Sequence, residues 1–105
     1  MIEMTSTQLA EVERILREHV PECEVRAFGS RVTGRTKPWS DLDLAVIGPK
    51  ELGFQRLGLL IEAFQESTLP FRVDVLDWHD TSPDFQAIIA QQYAVIQASQ
   101  RIGAV

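Results

Sequence analysis

Two aspartates one residue apart, Asp41 and Asp43, are the side chains in this sequence best placed to do chemistry. They open an alternating segment, Asp41 to Ile47, that reads as a β-strand, where side chains at i and i+2 point to the same face. Two like charges held side by side repel unless a proton or a cation lies between them. Hard carboxylate oxygens on one side of a pocket suit Mg²⁺, which takes one or two carboxylates and fills its shell with substrate phosphates. Upstream, Gly29-Ser30 stands where another predicted strand ends and the chain turns toward a short helical segment. Glycine permits close backbone approach, serine adds a hydroxyl, and free amides at a helix start favour phosphate. Arg31, Arg35 and Lys37 add positive charge to the same loop. Taken singly, these features read as a solvated Asp-x-Asp pair, a capped turn and solvent-facing cations. Taken together, they read as a metal and phosphate site.

Asp74 is the third element. It lies between Val73 and Val75 in the apolar run FRVDVLDW, where a charge is costly to bury without a partner. A strand lying next to the Asp41/Asp43 strand brings this carboxylate to the same ion. Asp77 has the opposite parity, so only one of the two can face the site. Asp77 sits nearer the strand end, beside Trp78, His79 and Asp80, where a solvated role is easier. Asp74 is therefore the expected ligand.

The elements that must position these groups are legible in outline. Thr5 and Gln8 form a capping box, and Leu9, Val12, Ile15, Leu16 and Val20 recur at helical spacing until Pro21. Glu22 to Phe28 alternates and reads as a strand. Phe54, Leu57, Leu60, Ile61 and Phe64 mark a second amphipathic helix, weakened by two interior glycines. Phe71 to Trp78 reads as a third strand. Ser82 and Pro83 start a third helix with Phe85, Ile88 and Ile89 as its buried face. The tail YAVIQ adds a short edge strand. The expected fold is α/β (α+β): a small mixed sheet with helices packed against it.

Bulk properties narrow the function. The 105 residues are 45% apolar, enough for one ordinary core, and the formal net charge is −5. That acidity weighs against nucleic acid as the main ligand, but not against a metal–nucleotide complex, because the metal brings the missing positive charge. Cys23 is the only cysteine. It reads as a small buried hydrophobe, and zinc lacks the His and Cys ligands it needs. No basic, apolar leader opens the chain and no apolar run is long enough to span a bilayer, so a cytoplasmic setting is expected. His19 is expected to meet the carbonyls ending the first helix. Trp39 reads equally as a stacking surface or a packing residue.

Gly29-Ser30, a ten-residue gap and Asp41-Leu42-Asp43, within GSRVTGRTKPWSDLDLAV, resemble the signature of the DNA polymerase β-like nucleotidyltransferase superfamily. The fuller run is similar to its minimal (MNT-type) members. The preceding helix, the strand into Phe28-Gly29 and Val73-Asp74-Val75 fall where that family has them. Thr33 departs from it, standing where many members have a smaller residue. The resemblance implies a polymerase β-like palm, a single nucleotidyltransferase domain over residues 1–105 and an enzyme using two Mg²⁺ ions. Asp41 and Asp43 would bridge the ions. Asp74 would help hold the ion on the nucleophile side and take the acceptor's proton. Gly29 and Ser30 would hold the β- and γ-phosphates, with Arg31 and Lys37 as further candidates. The resemblance also implies ATP as donor, AMP as the transferred group and a HEPN-type toxin, a ribonuclease, as partner. The acceptor would be a tyrosine of that toxin, and this chain would be the antitoxin. Two alternatives stand beside this reading: transfer to a small-molecule hydroxyl, and a partner-binding module without catalysis.

Overall fold

The computed structural model describes residues 2–99. Helix α1 (Ser6–His19) starts at the predicted capping box, with Thr5 and Gln8 each accepting the other's backbone amide. Strand β1 (Glu24–Phe28) leads through Gly29 into the one-turn helix α2 (Ser30–Thr33). Then come β2 (Leu42–Ile47), α3 (Phe54–Gln65), β3 (Val73–Asp77), a 3₁₀ turn (Trp78–Asp80), α4 (Pro83–Gln91) and β4 (Ala94–Gln97). Gly53 is the N-cap of α3 at φ 87°, so only Gly58 is interior, and the helix is weakened less than two interior glycines would imply.

The sheet runs β3-β2-β1-β4. β1 is antiparallel to β2 and to β4, while β2 and β3 are parallel. The YAVIQ tail therefore supplies the expected edge strand. Val25, Ala27, Leu42, Leu44 and Val46 point to one face and are fully buried with Val12, Ile15 and Leu16 of α1 and Leu60 and Phe64 of α3. Cys23 joins this cluster just ahead of β1, and burial pushes its thiol up to about 11, as befits an inert core residue. The opposite face carries Arg26, Phe28, Asp43 and Asp74 and is only partly covered by α4. Phe85 of α4 meets Phe28 edge-on at 5.9 Å.

The buried face expected for α4 is corrected. Ile89 alone is buried, whereas Ile88 is 60% exposed and Phe85 lies at the surface. Likewise Phe54 is almost wholly exposed, at the very first position of α3. Apolar periodicity does not distinguish a helix end that overhangs the sheet from one that rests on it. No helix among the described residues is long and apolar enough to cross a membrane.

Candidate active site

The register places the acidic side chains. Asp43, in β2, is the cross-strand partner of Asp74 in β3 and of Phe28 in β1. Paired residues share a face of the sheet, so Asp43 and Asp74 stand side by side on the open face. Asp41, exposed and just ahead of β2, has the parity of Asp43. Burial first, then the charges of Asp74 and Asp41, push the Asp43 carboxyl up to about 6. Each neighbouring negative charge disfavours ionisation of the half-buried group between them. The other two carboxylates are therefore close enough to act electrostatically on Asp43.

As the side chains stand, no three acidic, His or Cys groups among the described residues meet the spacing of one ion's ligand shell. Asp74 is turned onto Arg72, forming an ion pair in which Nε lies 3.0 Å from its Oδ1. Arg72 directly precedes β3 and lies two residues from Asp74, the extended-chain spacing that puts side chains on one face, a signal present in the sequence.

The turn beside them is shaped by Asp43. Gly29 sits at φ 80°, ψ −157°, a backbone region essentially reserved for glycine, and a Cβ there would overlap the Asp43 carboxylate. β1 thus ends against that carboxylate, and α2 begins there. The Gly29 carbonyl accepts from the amides of Val32 and Thr33. The amides of Ser30 and Arg31 make no backbone hydrogen bond among the described residues and are the free donors of a helix start. Ser30 is half-buried beside them.

Arg31, a candidate for the phosphates, has its guanidinium engaged elsewhere in this structure. It is 4% exposed, and its guanidinium donates to three backbone carbonyls: Nε to Ser40 at 3.0 Å, and the two terminal nitrogens to Glu3 at 2.7 Å and Pro38 at 3.1 Å. It also stacks over the Phe71 ring at 4.0 Å. The planar fork is used to hold the loop between α2 and β2 in place. Lys37 lies in the tight Lys37–Ser40 turn, exposed, with its ammonium 5.6 Å from the centre of the Trp39 ring. Trp39 is 70% exposed and is not a packing residue.

Asp77 has the opposite parity to Asp74, as predicted, but is not solvated. It is buried toward the helix layer, where its carboxylate accepts from the amides of Leu52 at 2.7 Å and His79 at 3.0 Å. His79 in turn contacts the Gly48 carbonyl through Nε2 at 2.6 Å. These groups fix the loops below the sheet and take no part in the acidic site. The His19 carbonyl, at the end of α1, is bound by Arg56 of α3.

The sequence matches the model of the nucleotidyltransferase domain over residues 9–102. The chain belongs to the nucleotidyltransferase family. Among relatives of this nucleotidyltransferase, a probable protein adenylyltransferase MntA of Haemophilus influenzae is 50% identical over 100 residues, which cover 95% of this chain and 88% of that one. Solved structures agree in fold. A toxin–antitoxin structure with AMP-PNP superposes with TM-score 0.74 at 23% identity, over 89% of this chain and 75% of that one. A tri-AMPylated Shewanella oneidensis HEPN toxin in complex with MNT antitoxin gives 0.70 at 22% identity, over 93% and 76%. Spectinomycin adenyltransferase AAD(9) from Enterococcus faecialis, with ATP and spectinomycin, gives 0.54 at 23% identity, over 88% of this chain but 48% of that one. The nucleotidyltransferase is thus an α/β enzyme with the polymerase β-like fold.

Proposed function

We propose that this nucleotidyltransferase transfers AMP from Mg-ATP to a tyrosine hydroxyl of a HEPN-type toxin, and so acts as the antitoxin of the pair. The 50% identity to a probable protein adenylyltransferase MntA supports AMP as the transferred group and a protein as the acceptor. The likeness in fold to an MNT antitoxin in complex with a HEPN toxin supports the partner class. The observation that carries the chemistry is the pairing of Asp43 with Asp74 across the β2–β3 ladder, beside a glycine whose missing Cβ leaves room for the Asp43 carboxylate.

The donor set fits divalent cations: of three hard carboxylates, Asp43 is raised to about 6 by burial first and then by the charges of Asp74 and Asp41, and positive charge would offset all of these. Asp41 and Asp43 would hold two Mg²⁺ ions, with Asp74 on one of them. Bound there, the ions supply charge neutralisation at the attacking and leaving oxygens of an in-line displacement at the α-phosphorus. The chain's own groups do the rest. The free amides at Ser30 and Arg31, with the Ser30 hydroxyl, orient the β- and γ-phosphates that depart as pyrophosphate. Lys37, an exposed cation of the same loop, would approach them, since the Arg31 guanidinium is engaged elsewhere. Asp74, once released from Arg72, would take the proton of the acceptor hydroxyl. The setting for this chemistry is the cytoplasm.

The test is transfer from ATP to the HEPN-type protein that co-purifies with the chain, read by intact mass. A mass increment of AMP on a tyrosine, dependent on Mg²⁺ and lost in Asp41→Ala/Asp43→Ala, is the expected result. Protection from the toxin that survives the double substitution would show that contact alone suffices. An increment on a small-molecule hydroxyl and none on the protein would replace the acceptor.

A further inference from the structure

Arg72 forms its ion pair with an acidic group of the proposed site, Asp74. The other ion pairs among the described residues use Glu11, Glu18, Glu22 and Glu24, none of them in the site. The backbone of Arg72 is held by the ladder. The Leu42 amide donates to the Arg72 carbonyl at 2.9 Å, and Leu42 is the register partner of Val73. Continuing that register back by one residue sets Arg72 level with Asp41, as Asp74 is level with Asp43. Alternation then directs all four side chains to the open face. A cation thus takes the fourth corner of an array whose other three corners are carboxylates. Its backbone is tied to the residue between Asp41 and Asp43, but its side chain is 75% exposed, against 43% for Asp74. The guanidinium can leave without disturbing the strand. Other arginines nearby are committed elsewhere. Arg31 serves three backbone carbonyls, and Arg26 pairs with Glu24 and lies over the Tyr93 ring.

We infer that Arg72 is the internal counter-ion of the acidic site. It occupies the Asp74 carboxylate while no divalent cation is bound, and an arriving cation gains Asp74 as a ligand by displacing it. A bare Asp74 would add a third negative charge beside Asp43 in a chain already at −5, and like charges so placed repel. A guanidinium relieves that repulsion, and an exposed ion pair is weak enough to give way. Direct coordination by a divalent ion is the stronger claim on a hard carboxylate. Neither Asp41 nor Asp43 has an ion-pair partner among the described residues, so those two are open to a cation first and Asp74 joins by exchange. Arg72 is therefore a positioning residue. It acts through Asp74, and it sets how tightly the site holds its cation.

This inference rests on the proposed cation site, and the experiment separates the two. Mn²⁺ is titrated into the full chain without nucleotide, and free Mn²⁺ is read from its electron paramagnetic resonance signal. Arg72→Gln should bind Mn²⁺ about two- to fivefold more tightly than the wild type, the range that loss of an exposed competing ion pair allows. In an Asp74→Asn background the same substitution should change nothing, because the coupling between two residues vanishes once one of them is gone. Lys50→Gln removes an equal charge from an exposed lysine beyond the far end of β2 and should also leave the affinity unchanged. An affinity that is unaltered or weakened in Arg72→Gln overturns the inference. So does a gain of equal size in the Asp74→Asn background or in Lys50→Gln, which would reduce the effect to net charge. Absence of Mn²⁺ binding in the wild type, or binding that survives Asp41→Ala/Asp43→Ala, overturns the cation site and the inference together.

Discussion

At Gly29 the local chain geometry and the chemistry meet in one atom's absence. The φ of 80° with extended ψ costs any other residue on the order of 1–3 kcal/mol, and a Cβ would strike the Asp43 carboxylate. Gly29→Ala is expected to lower stability by that amount in a denaturant titration. It should also displace Asp43 and cut transfer activity more steeply than the folded fraction falls. The two carboxylates of β3 offer a cleaner contrast. Asp74→Ala removes a partly exposed side chain paired only with an exposed arginine. Its stability should change little, since such surface pairs contribute about 0–1 kcal/mol, while kcat falls by at least ~100-fold, about 2.7 kcal/mol of barrier. Asp77→Ala does the reverse. It strands the amides of Leu52 and His79, with an expected loss of about 2–3 kcal/mol of stability, and leaves the activity of the folded fraction near wild type. Similar activity losses in both would break the assignment of Asp74 to the site and Asp77 to the scaffold.

Elements were legible from sequence where one force dominates, and were misread where two compete. The capping box, the proline stop and the alternation of β1 and β2 predicted element types well, because each reflects a local rule: orphan amides, a missing N–H, a two-residue repeat. The spacing from Gly29-Ser30 to Asp41-Leu42-Asp43 is likewise local, and strand parity separated Asp74 from Asp77. What sequence did not reveal is where long polar side chains reach. Arg31 reads as a phosphate cation because it follows Gly29-Ser30. Its actual partners, Glu3, Pro38 and Ser40, lie up to 28 residues away in sequence and depend on the closed fold. Asp77 reads from sequence as a solvated strand end because its partner Leu52 belongs to another loop, 25 residues earlier. Arg31 tests the distinction at this scale. With three carbonyls satisfied by one buried guanidinium, Arg31→Ala should cost about 3 kcal/mol in thermal or chemical unfolding. Arg31→Lys should recover little, because an ammonium cannot reproduce the fork. A variant of full stability with a raised KM for ATP would return Arg31 to the phosphates.

For the molecule as a whole, the site is a charge placed where the fold disfavours it. A chain of net charge −5 holds Asp43 half-buried between two other carboxylates, and its carboxyl is raised from 3.8 to about 6. In the unfolded chain the same group titrates near its ordinary value. Between those two values the folded state binds the extra proton and the unfolded state does not, so stability falls as pH rises from about 4 to 6. The stabilising effect of that proton is complete below about 4 and gone above 6. Without divalent cation, the wild-type Tm should therefore decline across this window relative to Asp43→Asn, which carries no ionisable group at position 43. A bound cation competes for the same carboxylate, so Mg²⁺ should raise the Tm more above pH 6 than below pH 5, and should do neither in Asp41→Ala/Asp43→Ala. Calorimetric melts at pH 5 and pH 7, with Mg²⁺ and with chelator, measure both effects. A Mg²⁺ shift of equal size at the two pH values, or one retained by the double variant, would place the cation elsewhere on this acidic surface and remove the electrostatic basis for the site.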